Sequence, residues 1–274
     1  MADTDQDFDV RPYLDGMAGG LAGVANVIMQ LANPAVGYGV YESPVESGSA
    51  MKHPFKRGRT TATYLAVALL GNDDDKRAMR KAIDGVHKYI RSTPESPVSY
   101  NAFDPALQLW VGACLCKGTL DIIEALHGRP DDAAMDQLYA HFSSFATTLQ
   151  VRPEMWPADR LAFDAYWKEQ EERISIDDTI REYLLILMRL GNLPIWMAIF
   201  GRRFHRWVNT GFLPPRFREE MRLTWSAKDE RRHRIVLRAV GWVSRKLPGP
   251  VRLFPLNVYL WDLRKRVKAG RRLV

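Results

Sequence analysis

Residues 74–91 read DDKRAMRKAIDGVHKYIR, and the spacing of their apolar side chains predicts a helix. Met79, Ile83, Val86 and Ile90 recur at intervals of three or four, which places them on one inward face. His87 lies one turn after Ile83, at the border of that face. A histidine turned inward among aliphatic side chains can be a core residue bonded to a carbonyl, or it can offer a nitrogen to a metal or to haem iron. Periodicity alone leaves both interpretations open.

The same spacing recurs along almost the whole chain, whereas the alternation typical of strands is scarce. The sequence therefore predicts an all-α fold, a single large helical bundle formed by one domain that spans residues 1–274. Helices are predicted at residues 10–32, 57–71, 74–91, 104–127, 132–149, 158–173, 177–190, 194–208, 215–222, 227–246 and 250–268. The first contains four glycines, which would let another backbone or a flat ligand approach closely: Gly16, Gly19, Gly20 and Gly23.

Helix ends are predicted from prolines and capping residues. The first helix should stop before Pro34, because proline disfavours helical geometry in the residue before it. Asp73 or Asp74, and Asp104, are expected to cap the helices that follow them. Residues 37–54 contain Gly, Ser and Pro at a density typical of turns and predict the one long internal loop, a kind of segment that is often functional.

The cysteines and the start of the chain predict an intracellular protein. Cys114 and Cys116 would point roughly 200° apart on a helix, so they can neither pair nor chelate one metal together. We expect both to be buried and reduced, as in the cytoplasm. Residues 1–9 are acidic and are expected to be flexible, whereas a secretory signal would begin with basic and then apolar residues. The longest apolar runs fall far below the ~18 residues of a membrane-spanning helix.

Positive charge is concentrated near the C-terminus. Residues 202–274 hold 20 Lys and Arg against 5 Asp and Glu, whereas residues 1–201 hold 19 against 27. The basic part could pair with the acidic part or meet an acidic partner. Residues 250–272 combine apolar and basic side chains as an interfacial amphipathic helix does, which predicts peripheral contact with an anionic membrane on its inner face. No nucleic-acid motif accompanies the charge, so nucleic acid is not an expected partner.

Common catalytic signatures are absent from the sequence. It has no Gly-rich phosphate loop of the Walker or Rossmann type, no His-Glu-x-x-His zinc motif, no Gly-x-Ser-x-Gly elbow and no Cys/His array. Nucleotide-dependent, zinc-hydrolytic and serine-nucleophile chemistries therefore lack support, and His87 stays the candidate with the most specific setting.

Seven stretches, in order along residues 18–255, resemble the motifs of one known family. They are QLANPAVGYGV (30–40), RGRTT (57–61), VH (86–87), DPALQLWV (104–111), FDAYW (163–167), GFLPPRFR (211–218) and LPGPVR (247–252). The chain is similar to the rubber oxygenases, or latex-clearing proteins, and to their relatives, which include the oxygenase of mycophenolic acid biosynthesis.

The resemblance implies a site for haem b in a helical core like an extended globin. It assigns the proximal iron ligand to His87 and catalytic and haem-binding roles to Arg57 and Thr61, which share a helix face at a spacing of four and could reach one side of the macrocycle. Arg57 would neutralise a propionate or steady a developing oxyanion, although it could also be a surface cation. The resemblance also places Thr60 and Trp110 among the haem-binding residues.

At three positions the comparison with the family needs separate treatment. Rubber oxygenases have a lysine that caps the distal iron where this chain has Thr60, which argues against copying polyisoprene cleavage. Relatives often have a histidine where this chain has Gly112, and its loss is expected to leave room in a pocket. Glu42 is a candidate acid or base by resemblance, or alternatively a solvated loop carboxylate.

The leading functional hypothesis is therefore a haem-b-dependent oxidase or oxygenase. Its expected partners are a hydrophobic or aromatic small-molecule substrate and dioxygen or peroxide, with the iron held by His87. A haem-binding or haem-sensing protein without turnover, and a peripheral membrane protein, are the alternatives from other classes.

Overall fold

A computed structural model describes residues 8–274, and helices make up nearly all of its regular structure. The α-helices are α1 (Gly16–Gly19), α2 (Gly23–Leu31), α3 (Pro34–Tyr41), α4 (Pro54–Leu70), α5 (Asp73–His87), α6 (Pro105–His127), α7 (Asp132–Phe142), α8 (Ser144–Thr147), α9 (Arg160–Glu172), α10 (Asp178–Met188), α11 (Ile195–Phe212), α12 (Pro215–Glu220), α13 (Ala227–Ser244), α14 (Gly249–Arg252) and α15 (Leu256–Lys268). Within the described part of the chain, β pairing is confined to one isolated bridge between Arg91 and Asn101. The predicted all-α fold is confirmed. Of the segment 1–9 that was expected to be flexible, residues 1–7 lie outside the described residues.

Helix α6 forms the centre of the molecule and packs against α2, α7, α8 and α13. Cys114 and Cys116 are fully buried in it as free thiols, and burial raises the pKa of both. Its 23 residues are also long and apolar enough to cross a membrane by length and composition, which the length of the uninterrupted apolar runs did not predict. Because most of its apolar window is buried among other helices, α6 has the environment of a core helix.

Helix α3 replaces the first part of the loop predicted at residues 37–54, whereas the loop itself is present between α3 and α4. Asn33 caps this helix by accepting hydrogen bonds from the backbone amides of Ala35 and Val36, so the chain turns at Pro34 and re-enters a helix at once. Gly37 and Gly39 are packing residues rather than turn residues. A Cβ at Gly37 would lie 2.7 Å from the carbonyl oxygen of Leu31, and one at Gly39 would lie 3.3 Å from the ring of Tyr100.

Other helix boundaries also differ from the prediction. Asn72, not Asp73 or Asp74, caps α5, and the helix ends at His87 rather than at residue 91. The predicted helices at 10–32, 132–149 and 250–268 are each broken into shorter ones, the last of them around Pro255. Of the four glycines in the first helix, Gly16 has the expected close approach, since a Cβ there would meet the carbonyl oxygen of Phe254 at 2.3 Å, whereas Gly19, Gly20 and Gly23 face open space.

Helix α15 packs along α4 and is joined to the start of α5 by an ion pair. Its buried leucines, Leu256, Leu260 and Leu263, join the apolar core. Arg264 donates to both carboxylate oxygens of Asp75, with a shortest separation of 2.7 Å between Nη2 and Oδ2. The same carboxylate accepts from the backbone amide of Asn72 in the capping box. One buried side chain therefore both starts α5 and holds α15 against it.

We expect Asp75→Ala to lower the free energy of unfolding by about 2–3 kcal/mol, because it removes a cap and a charge-assisted pair together. Urea denaturation followed by far-UV circular dichroism measures the change. Asp74→Ala is the matched control, because Asp74 forms only an exposed pair with Arg77, a type worth below about 1 kcal/mol. Equal effects of the two substitutions would contradict the role given to Asp75.

Candidate functional site

A cavity of ≈ 570 Å³ lies between α3, α4, α5, α6 and the loop at residues 43–53. Helix α10 contributes Tyr183 to its wall, and the C-terminal residue Val274 also lines it. Most of the wall is apolar, as in a site for a flat or hydrophobic ligand. Its apolar members include Val36, Val40, Leu65, Met79, Ile83, Val86, Leu107, Val111 and Leu115.

His87 lines this cavity from the last residue of α5. The chain turns immediately after it, since the amide of Ile90 donates to the His87 carbonyl oxygen at 2.9 Å. Nδ1 of the imidazole is buried and has no hydrogen-bond partner. Phe103 packs edge-on against the ring, with centroids 6.2 Å apart. Burial lowers the pKa of His87 to about 4, with Asp84 acting in the opposite direction and Arg57 in the same one. The imidazole is therefore neutral at pH 7.

Arg57, Thr60 and Thr61 line the same cavity from α4. Arg57 and Thr61 are one turn apart on one face of the helix. The Thr60 hydroxyl donates to the backbone carbonyl of Lys56 at 3.0 Å, so its proton is already used within the helix. Burial lowers the pKa of Arg57, while Tyr183 acts to raise it, and the guanidinium stays charged at neutral pH. The structure brings His87, Arg57, Thr60 and Thr61 to one cavity.

The charged side chains that line the cavity are all basic among the described residues. Its basic members are Arg57, Lys52 and Lys56, and no Asp or Glu is found among the described residues that line it. Lys52 has an exposed partner, Glu46, at 3.1 Å. Within the described part of the chain, Arg57 and Lys56 have no ion-pair partner. An anionic group on a bound ligand would therefore meet unneutralised positive charge.

Glu42 does not line the cavity. Its Oε2 accepts hydrogen bonds from the Ser96 hydroxyl at 2.6 Å and from the Tyr100 hydroxyl at 2.8 Å. These bonds tie the end of α3 to the segment that leads into α6. The carboxylate is thus engaged in a link between two segments, and the structure does not bring it together with His87.

Trp110 is also separate from the cavity. It is 1% exposed, its indole nitrogen donates to the carbonyl oxygen of Gln30 at 3.0 Å, and it stacks on Trp167. These contacts are those of a core residue.

The pocket space expected at Gly112 is absent, because a Cβ at this position would lie 2.7 Å from the Cβ of Ala146 in α8. The lost histidine is replaced by close packing of two helices, and the expectation of a pocket at this position is wrong.

Tyr183, Lys56 and Val274 are cavity residues that the sequence did not identify. Lys56 lies one turn before Thr60, so helical spacing from the threonine pair would have found it. Tyr183 and Val274 come from segments far away in the chain, and no local pattern indicates that they meet α4. The apolar residues predicted to face inward do line the cavity: Met79, Ile83 and Val86 from α5, and Ile90 from the turn that follows it.

Comparison with protein-family models matches residues 10–245 to the domain described as ER-bound oxygenase mpaB/B'/Rubber oxygenase, catalytic domain. Two curated relatives are Uncharacterized protein Mb2261 of Mycobacterium bovis and Uncharacterized protein Rv2237 of Mycobacterium tuberculosis. Each is 48% identical over 250 residues, which covers 91% of this chain and 98% of the relative. No solved structure matches this chain. The chain therefore belongs to the mpaB and rubber oxygenase family of catalytic domains, whose members are described as oxygenases.

Proposed function

We propose that the protein is a haem-b-dependent oxygenase that uses dioxygen or peroxide to oxidise a hydrophobic or aromatic small molecule. One observation carries the proposal: His87, whose Nδ1 is buried without a hydrogen-bond partner, lines a largely apolar cavity in which the charged side chains of the described residues are all basic. Membership in an oxygenase family supports the class of reaction.

The donor set fits an axial ligand to haem iron. No group of three or more His, Cys, Asp or Glu side chains able to hold a metal occurs among residues 8–274. A haem would need fewer protein ligands, because the porphyrin itself would supply most of the ligands of the iron, and His87 would supply the protein ligand. The lowered pKa of His87 keeps its ring neutral and a nitrogen lone pair free at physiological pH. Coordination would also offset part of the unfavourable free energy of burying a polar nitrogen without a hydrogen bond.

The cations of α4 would bind the propionate groups of the porphyrin or steady negative charge that develops on the substrate. Arg57 suits either role, since a guanidinium presents several donors in a fixed plane and stays charged in proteins. The Thr61 hydroxyl lies on the same face and can donate to a polar group of the ligand. Glu42 and Trp110 have no part in this proposal, because neither lines the cavity.

The remaining wall residues would orient the substrate and exclude water. Aliphatic side chains from α3, α4, α5 and α6 surround the cavity, so an apolar molecule gains free energy by leaving water to enter it. When bound, haem supplies the activation of the oxidant, and the protein supplies position and electrostatics. Tyr183 keeps its phenolic proton at neutral pH, because burial raises its pKa more than Arg57 lowers it.

Replacing His87 by glycine should remove the Soret band of protein purified with a haem supply, because the iron loses its axial nitrogen. Ultraviolet–visible spectra of the desalted protein measure haem content. Adding free imidazole should restore the band, since the small ligand fits the space of the deleted ring, and a folding defect would not be rescued in this way. His53→Ala is the control, because His53 is exposed and lies outside the cavity wall. A His87→Gly protein with the haem content of the wild type would contradict the assignment of His87 as the iron ligand.

Replacing Arg57 by alanine should lower substrate-dependent oxygen uptake by about 10- to 100-fold, the value of one hydrogen bond to a charged group. An oxygen electrode with terpenoids, indoles and polyisoprene oligomers measures the rate. Arg59→Ala is the matched control on the same helix, because Arg59 does not line the cavity, and its rate should equal that of the wild type. A haem-loaded wild type that consumes no oxygen with any of these substrates would favour a haem carrier instead.

A further inference from the structure

The first half of α11 presents an unusually apolar exposed surface. Four large side chains in its first two turns are exposed, with Phe200 at 87% and Trp196 at 63%: Ile195, Trp196, Ile199 and Phe200. We call these four residues the apolar face of α11. Phe204, one turn further on, is also exposed. Large apolar residues scattered singly over a surface need no explanation, but a contiguous group marks an interaction site.

This apolar face is held in place by the second half of the same helix. Val208, Asn209, Thr210 and Phe212 are buried, and α11 packs against α2, α10 and α13. The Asn209 side chain accepts from the amide of Ala25 at 2.8 Å, and His205 Nδ1 lies 2.9 Å from the carbonyl oxygen of Met188. The exposed face is therefore the projecting part of an anchored helix.

The segment that carries the apolar face has positive charge without acidic partners. Residues 183–218 contain six arginines and no Asp or Glu. Arg189, Arg202, Arg203 and Arg206 are exposed, and none of them forms an ion pair within the described part of the chain. Arg216 and Arg218, in contrast, lie close to Glu219, Glu220 and Glu230. Three of the unpaired arginines follow the apolar face within two helical turns.

The charge decides between a lipid surface and a second copy of the chain. Two copies packed through the apolar face would bring two sets of unpaired arginines together without a carboxylate to offset them. An anionic bilayer offers phosphates to the arginines and an apolar interior to the Trp and Phe side chains. Exposed aromatics beside a basic cluster are the pattern of a helix that binds the membrane interface.

Helix α15, on which the sequence places the membrane contact, has a different setting. Its leucines are buried in the core, Arg264 pairs with Asp75, and Arg266 pairs with Asp262. Part of its apolar and basic character is thus used for packing within the protein. Trp261 and Val258 remain exposed, so this helix is the competing surface in the test below.

We propose that the apolar face of α11, with Arg202, Arg203 and Arg206, binds the protein to an anionic lipid bilayer. The binding itself needs neither haem nor turnover. A consequence for substrate entry rests on the proposed function. The Asn192 side chain, three residues before α11, donates to the carbonyl oxygen of Ala50 at 3.0 Å. The neighbours of Ala50, Ser49 and Met51, line the cavity. A bilayer on this face would lie beside the loop that borders the cavity, so a lipid-soluble substrate could pass between them.

Vesicle flotation of the full chain tests the proposal. The wild type should float with vesicles of phosphatidylglycerol mixed with phosphatidylcholine and remain unbound with phosphatidylcholine alone. The double substitution Trp196→Ser and Phe200→Ser should weaken binding at least about tenfold, because two aromatic side chains no longer enter the bilayer. The pair Arg202→Gln and Arg203→Gln should weaken it about tenfold or more, and raised salt should act in the same direction.

Two controls separate this surface from others. The first control, Leu161→Ser, removes a similarly exposed apolar side chain from α9. The second control combines Trp261→Ser with Lys265→Gln and alters the competing surface on α15. Each of these two variants should float as the wild type does. Loss of binding only in the α15 variant would overturn the proposal in favour of residues 250–272. A wild type that never floats would overturn it as well.

Light scattering provides the remaining arm. The wild type should be monomeric at the concentrations used for flotation, whereas a dimer that the Trp196 and Phe200 substitutions dissociate would assign the face to a second copy and overturn the proposal. Flotation with and without a haem supply, and of His87→Gly, keeps this result separate from the proposed function. Equal flotation in all three samples, together with no substrate turnover, would support the proposed membrane surface and contradict only the proposed oxygenase activity.

Discussion

The chemistry of the cavity depends on the burial of one imidazole without a hydrogen-bond partner. An unsatisfied buried polar group costs about 1–3 kcal/mol, and proteins seldom retain one without a reason. Nδ1 of His87 is such a group, and burial is also what lowers the pKa of the ring to about 4. The lowered pKa keeps the ring neutral, and Nδ1 has no hydrogen-bond partner within the protein.

The helices of this fold could be predicted from the sequence, because the spacing of apolar residues is a local pattern. The ends of several helices and part of the candidate site could not be predicted in this way. Residues 37–54 resembled a loop because Gly37 and Gly39 also occur in turns, and only the neighbouring Leu31 and Tyr100 show them to be packing positions. The family resemblance led to His87, Arg57, Thr60 and Thr61, which share a cavity. It also led to Glu42 and Trp110, which do not line the cavity. Glu42 is bound by Tyr100, and Trp110 contacts Gln30 and Trp167. No local pattern in the sequence predicts these contacts.

The distribution of carboxylates links the cavity to the rest of the chain. The chain contains 32 acidic residues, yet none of the described residues that line the cavity is acidic. Elsewhere the basic residues often have partners, as Arg264 has Asp75 and Arg160 has Asp132 and Asp136. Arg57 is exposed at the cavity wall and has no ion-pair partner among the described residues, so it is free to bind a ligand that brings negative charge. The sequence alone could not reveal this, since Arg57 lies between two further basic residues, Lys56 and Arg59, as a surface cation would.

The same absence of acidic groups recurs in α11, where solvent rather than a cavity surrounds the arginines. In the cavity, positive charge without a partner suits the anionic groups of a bound ligand, because the space accepts a ligand of limited size. On α11 it accompanies exposed aromatic side chains on a convex surface, where an extended anionic surface can meet all the arginines at once. The two regions are joined through one hydrogen bond, from Asn192 to Ala50, in the loop that borders the cavity. The segment that leads into the proposed membrane surface therefore contacts the loop that borders the proposed haem site, so an apolar substrate dissolved in a bilayer would reach the protein near that loop.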